Sequence, residues 1–181
     1  MRSVFNFLCA ERKGFAVLLC LGISVLLALS FWFSKIPSDS QMATLFEKNK
    51  PILEVLLDKI SHEPPEIVGI AKDDHVMVNE PFNWVSPDKA GFSSEHFSEY
   101  KTLMRNAGVI SLWRRSEATE FAIARRGFAG AGWGLTFVHE MAKPAPLVSS
   151  IDGPPREQMG NGNNVYRPLG GDWYIRLYLG N

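Results

Sequence analysis

The chain has 181 residues, with nineteen Lys and Arg balanced by nineteen Asp and Glu, 46% apolar residues and 21% charged ones. This ordinary composition excludes an acidic tail, a polycationic nucleic-acid binder and a disordered chain. Two cysteines, Cys9 and Cys20, exclude a disulfide scaffold, and the length allows one compact domain plus an extra segment.

The first element is the run Gly14 to Phe33, GFAVLLCLGISVLLALSFWF, which carries no charge. Twenty residues make about 30 Å of helix, the thickness of a bilayer's hydrocarbon core. A helix satisfies its own backbone polar groups, so it can cross lipid. Residues 14–33 therefore read as a transmembrane helix in contact with the bilayer, with Phe31, Trp32 and Phe33 at one interface. A cleaved signal peptide is the rival, with Ala28-Leu29-Ser30 as its site before Phe31. The apolar run is longer than the usual signal core of about 7–15 residues, and it continues past that site. Arg2, Arg12 and Lys13 precede the span and only Lys35 closely follows it. That bias places residues 1–13 in the cytoplasm and the C-terminal domain in the periplasm. The expected location is a bacterial inner membrane, crossed once.

Ser34 to Ser40 reads as a linker (34–40), and residues 41–181 as the domain. The 148 residues after Phe33 hold sixteen basic and eighteen acidic side chains, a net of −2. Leu45, Phe46, Ile52, Val55, Leu56 and Ile60 recur at helical spacing, with Pro51 expected to kink or restart the helix and His62-Glu63-Pro64-Pro65 to end it. EIVGIAKDDHVMVNE reads as strands 66–71 and 75–79 around an Asp73-Asp74 turn. PFNWVSPDKAG reads as loop. Ser93 or Ser94 caps a helix over 94–107, and Gly108 stands where its C-terminus needs a left-handed residue.

The remainder is strand-like. VISLWRR and EFAIARR flank Ser116 to Thr119 as a hairpin, which sets Arg115 opposite Glu120. LTFVHE is another strand, Pro144 to Asn164 is loop, and NVYRPL and DWYIRLYL pair around Gly170-Gly171. The expected fold is α+β: the N-terminal transmembrane helix, then two helices packed on an antiparallel sheet of about five to seven strands.

FSSEHFSEYKTLMRNAGV, the Gly-rich RRGFAGAGWG and the closing YRPLGGDWYIRLYL, together with the N-terminal anchor, resemble a family of small uncharacterised bacterial membrane-anchored envelope proteins. The resemblance spans most of residues 41–179. It implies a bacterial source and a small tethered domain, and it brings no activity and no catalytic residues.

Motifs for chemistry are sparse. His139-Glu140 opens like a zinc-protease motif, but Lys143 stands where the second His belongs. Gly130, Gly132 and Gly134 suggest a phosphate loop, but Leu135 breaks the spacing and a strand follows instead of a helix. No G-x-S-x-G elbow is present. No catalytic residue, metal site or cofactor is expected. Arg114, Arg115, Arg125 and Arg126 lie on one hairpin and are the candidate contacts for a protein partner or lipid headgroups. Aromatic residues, Trp113 and Trp133 among them, cluster on the strands.

The reading from sequence is a single-pass membrane-anchored protein that displays a non-enzymatic binding or structural domain in the bacterial envelope. Its partners would be the bilayer and an envelope protein, not nucleic acid. The alternative is a hydrolase-like envelope enzyme whose site is assembled only in space. A deep pocket that joins His75 or His139 to a carboxylate and a nucleophile would favour the enzyme. A shallow, arginine-lined or apolar surface would favour the binder.

Overall fold

The structure is a computed structural model that describes residues 36–79, 83–128, 131–140, 142–152 and 163–180. From Pro37 onward these belong to one unit, Pro37–Asn181. The expected segments 1–13 and 14–33 lie outside the described residues, as do residues 34 and 35 of the expected linker; that linker is shorter than expected, because Asp39 and Ser40 already belong to the first helix. Among the described residues no helix is long and apolar enough to cross a membrane.

Helix α1, Asp39–His62, opens on a capping box. The Ser38 hydroxyl accepts from the Gln41 N–H, and the Gln41 side chain accepts in return from the Ser38 N–H. Met42, Phe46, Asn49, Leu53, Leu56 and Ile60 are buried. Their alternating spacing of four and three residues gives one apolar stripe. Pro51 neither ends nor restarts the helix. Pro51 and Glu47, whose carbonyl loses its N–H partner, both lie on the exposed side, where water takes that place.

Strands β1 (Ile67–Ala71) and β2 (His75–Val78) follow, joined by a turn in which Asp74 adopts a left-handed φ of 66°. Strand β3, Asn83–Val85, corrects the expectation of a loop. Its three residues, bounded by Pro81 and Ser86-Pro87, are too few for sequence alternation to register. Helix α2, Ser94–Ala107, is capped by Ser93 and ends on Gly108 at φ 68°. Strands β4 (Ser111–Arg114), β5 (Ala118–Phe128), β6 (Ala131–Glu140), β7 (Asn164–Gly170) and β8 (Trp173–Gly180) complete the chain.

The architecture is α+β, two helices on one face of an antiparallel sheet. Among the described residues the sheet has eight strands, not five to seven, in the order β3-β2-β1-β4-β5-β6-β8-β7. Helix α2 carries the chain from the β3 edge back across two strands to β4. Directly opposed residues share a face, so the register reads across the whole sheet. On the helix side one row runs Val85, Val76, Ile70, Leu112, Phe121, Phe137, Ile175 and Arg167. Helix α1 packs here, with the Phe46 ring 5.4 Å from Phe137 and 5.4 Å from Trp173. Each of these fully buried large side chains contributes about 1.5–3 kcal/mol. The neighbouring row, on the outer face, runs Trp84, Met77, Gly69, Trp113, Glu120, Val138, Tyr174 and Pro168.

Three fastenings hold the helices to each other and to the sheet. Asn49, buried on α1, donates to the Ala107 carbonyl at the end of α2, at 3.0 Å. Arg167 on β7 pairs with Asp39 in the first turn of α1, at 3.1 Å. Arg114 on β4 donates to the carbonyls of Ile60 and Glu63, at 2.7 and 2.9 Å, and to that of Pro64. They lie at and just beyond the end of α1, where i+4 N–H partners run out; Ile60 also accepts from the Glu63 N–H and Pro64 from the Ile67 N–H.

Candidate ligand-binding groove

An open groove of about 700 Å³ lies along the ends of β1, β2, β4, β5 and β6 beside the β3 edge. That volume is within the ordinary range for ligand sites. Trp84, Trp113 and Trp133 line it together with Lys72, Arg125 and Arg126.

The backbone builds the aromatic wall. Gly69 lies between Met77 and Trp113 in the outer row. A Cβ at position 69 would sit 3.1 Å from Met77 Cβ and 3.1 Å from Trp113 Cε3, closer than such contacts normally fall. The missing side chain thus lets the Trp113 indole settle onto the sheet. Its Nε1–H donates to the Ser111 hydroxyl at 3.2 Å, which fixes the ring. Trp84 meets it edge to face, centroids 5.2 Å apart at 77°. Trp84 remains 36% exposed, unusual for an indole that is already stacked.

A β-bulge supplies the charge. Ala122 opposes Thr136, but Ala124 opposes Leu135, so one extra residue enters β5 at Ile123. The insertion reverses the alternation, and a bulge re-aims every side chain after it. Arg125, opposite Gly134, therefore falls on the outer face, and Arg126, opposite Trp133, on the helix side. Both are exposed.

The four arginines do not form one cluster. Arg114 is occupied by the carbonyls at the end of α1. Arg115 donates through Nε to Glu120 at 2.8 Å. The expected loop Ser116 to Thr119 is shorter than read, because Arg115 N–H bonds the Ala118 carbonyl and leaves a two-residue turn. Glu120 consequently faces Trp113, and Arg115 reaches it diagonally. Arg125 lies six positions along β5 from Thr119, the residue opposite Arg114, about 20 Å at the rise of an extended strand. The groove gathers Arg125 and Arg126 and omits Arg114 and Arg115.

Glu120 is 6% exposed and centres a second polar cluster on the outer face. Arg176 on β8 makes two parallel bonds to it, Nη1 to Oε1 and Nη2 to Oε2, each 2.8 Å. Since β6 lies between β5 and β8, Arg176 spans β6, over Thr136 and Val138, which are buried. Burial works against the Arg176 charge, but the Glu120 bonds outweigh it and hold its pKa above the usual guanidinium value. Glu140 has its carboxyl raised above the usual range, chiefly by desolvation and then by Glu117 and Glu120.

The histidines are placed for structure. His139 packs edge-on against Trp173 at 5.0 Å. His96 and the Tyr100 hydroxyl both bond Glu63 Oε1 at 2.9 Å, binding α2 to the end of α1. Burial, followed by the Glu63 carboxylate, drives the Tyr100 phenol far above its ordinary value. His75, Asp73 and Ser111 do line the groove. They are not joined as nucleophile and base. The His75 Nδ1 lies 2.8 Å from the Asp73 carbonyl, and the Ser111 hydroxyl accepts from Trp113. His75 and Ser111 flank Ala71 on adjacent strands, two strand spacings or about 10 Å apart. Among the described residues no group of three or more His, Cys, Asp or Glu is arranged to hold a metal ion.

The aromatic signal of Trp113 and Trp133 was legible in the sequence, but the groove was not. Trp84 and Lys72 were missed as site residues. The Asn-Trp-Val step between Pro81 and Pro87 was the available sign for Trp84, whereas Lys72 carried none. Compared with known protein families, curated proteins and solved structures, the chain matches none, so the functional reading rests on its own residues.

Proposed function

We propose that this protein is a single-pass membrane-anchored protein that displays a non-enzymatic binding domain on the outer side of a bacterial inner membrane. The observation that carries the binding reading is the groove. It is open, walled by indoles and edged by exposed guanidinium groups. Such features recognise a ligand without needing an activated nucleophile. The hydrolase reading finds His75 and Ser111 in the same groove, but each has its hydrogen bonds elsewhere. Anchoring rests on the uncharged run 14–33, and orientation on the Arg and Lys residues before it.

The test is extraction and protection of the full-length chain in a bacterial host. The anchored reading expects the intact chain in the pellet after alkaline carbonate. It also expects protease added to spheroplasts to digest residues 37–181. Release into the supernatant, or a mature chain starting at Phe31, contradicts it.

A further inference from the structure

We propose that the ligand of this groove is an anionic saccharide chain, held by stacking of sugar rings on Trp84 and Trp113 and by pairing of its carboxylate or phosphate groups with Arg125 and Lys72; the inference rests on the binding reading above. Three features of the groove select this chemistry. The first is the fixed indole pair. Trp113 is seated over Gly69 and pinned through Ser111, and Trp84 stands against it, still over one-third exposed. A rigid flat ring loses little entropy when it meets the apolar C–H face of a pyranose, and burying that face is favourable. The second is charge. Lys72 and Arg125, both exposed, face one carboxylate, Asp73, among the described lining residues. A guanidinium fork matches a carboxylate or phosphate bidentately. The third is the polar supply. Ser111, His75 and Asp73 offer donors and acceptors suited to hydroxyl groups.

Other occupants fit less well. An extended acidic peptide would add to a sheet edge and draw affinity from main-chain bonds. The edge beside the groove is β3, only three residues long. A membrane surface calls for protruding side chains, whereas Trp113 is recessed and half-buried against the sheet.

The experiment is a titration of the full-length chain in nanodiscs, followed by tryptophan fluorescence. The probes are polygalacturonate (carboxylate), phosphomannan (phosphate), neutral dextran, polyglutamate and added phosphatidylglycerol vesicles. Saturable quenching by polygalacturonate or phosphomannan and none by dextran is expected; which of the two acts identifies the anion. Trp84→Ala and Arg125→Gln should each weaken it about tenfold, as loss of an anchoring aromatic or arginine does. Both positions are exposed, and unchanged thermal melting verifies that the variants fold. If polyglutamate or the vesicles match the polysaccharides through the same two residues, the saccharide class is wrong and the binding reading stands. If no probe changes the fluorescence, or the variants bind as the parent does, the groove is not the site and the inference falls. In that last case carbonate extraction still decides the anchor separately.

Discussion

Glu120 shows how much of the outer face depends on one residue. It makes both carboxylate bonds to Arg176 and also holds Arg115. Replacing it with Ala leaves the largely buried Arg176 without its partner, and about 3 kcal/mol of stability should be lost, the cost of breaking a buried pair from one side. Denaturant unfolding of Glu120→Ala, with Arg115→Ala as the more exposed comparison, reads this directly; the second change should cost under about 1 kcal/mol. Gly69 is the corresponding position in the groove. Gly69→Ala forces Trp113 off the sheet and should cost about 1–3 kcal/mol, with a red shift of indole emission. Glu140 gives a pH signature. Its folded-state pKa is raised, so the folded protein holds the proton more tightly than the unfolded chain does. The associated stability is complete below the ordinary value near 4.5 and is lost as pH rises through the folded value. Glu140→Gln should flatten the fall in unfolding midpoint across that window; an unchanged slope would place the titration elsewhere. At this scale the sequence brought Arg115 near Glu120 but in the wrong register, since Trp113 is the residue opposite, and it did not show Arg176, because that partner comes from a strand 56 residues later.

Most elements were legible because their signals are local. Helical spacing, Ser93 and Gly108 marked α2 at its observed limits. The Asp73-Asp74 and Gly170-Gly171 steps marked two turns correctly. Misreadings arose where a distant partner decides. The sequence hid β3 because pairing with β2 and the Trp84–Trp113 contact order its three residues. The Gly-rich run has no strand signal of its own, yet Gly127, Gly132 and Gly134 are laddered within β5 and β6, because pairing with β8 carries β6 down to Gly132. Pro51 was expected to interrupt α1, but the stripe from Leu53 to Ile60 continues the packing of Met42 and Phe46. Tertiary burial therefore holds together a helix that local preference would break. Pro51→Ala should restore the bond to Glu47 and raise stability by about 1–3 kcal/mol, part of the usual penalty of an interior proline. A melting temperature at or below the parent's would mean that the proline helps to shape the helix.

For the whole molecule, the two faces of the sheet divide the work. The helix face holds the packed core, and the outer face carries the Glu120 cluster and the Trp84, Trp113 and Arg125 wall of the groove. The groove itself was not legible in the sequence. It needs Trp84 from β3, Trp113 from β4 and Arg125 from β5, brought side by side only through the order of strands and the bulge at Ile123. The uncharged run 14–33, by contrast, was read from composition alone, and the proposal that it spans a membrane is tested by extraction and not by the fold. The most direct measurement for the groove is 19F spectroscopy of the full-length chain labelled with 5-fluorotryptophan and titrated with polygalacturonate. Resonances of Trp84 and Trp113, assigned by single substitution, should move together while that of Trp173, buried against Phe46, stays in place. Movement of Trp173 alone, or stationary Trp84 and Trp113 resonances at saturating polysaccharide, would contradict the account.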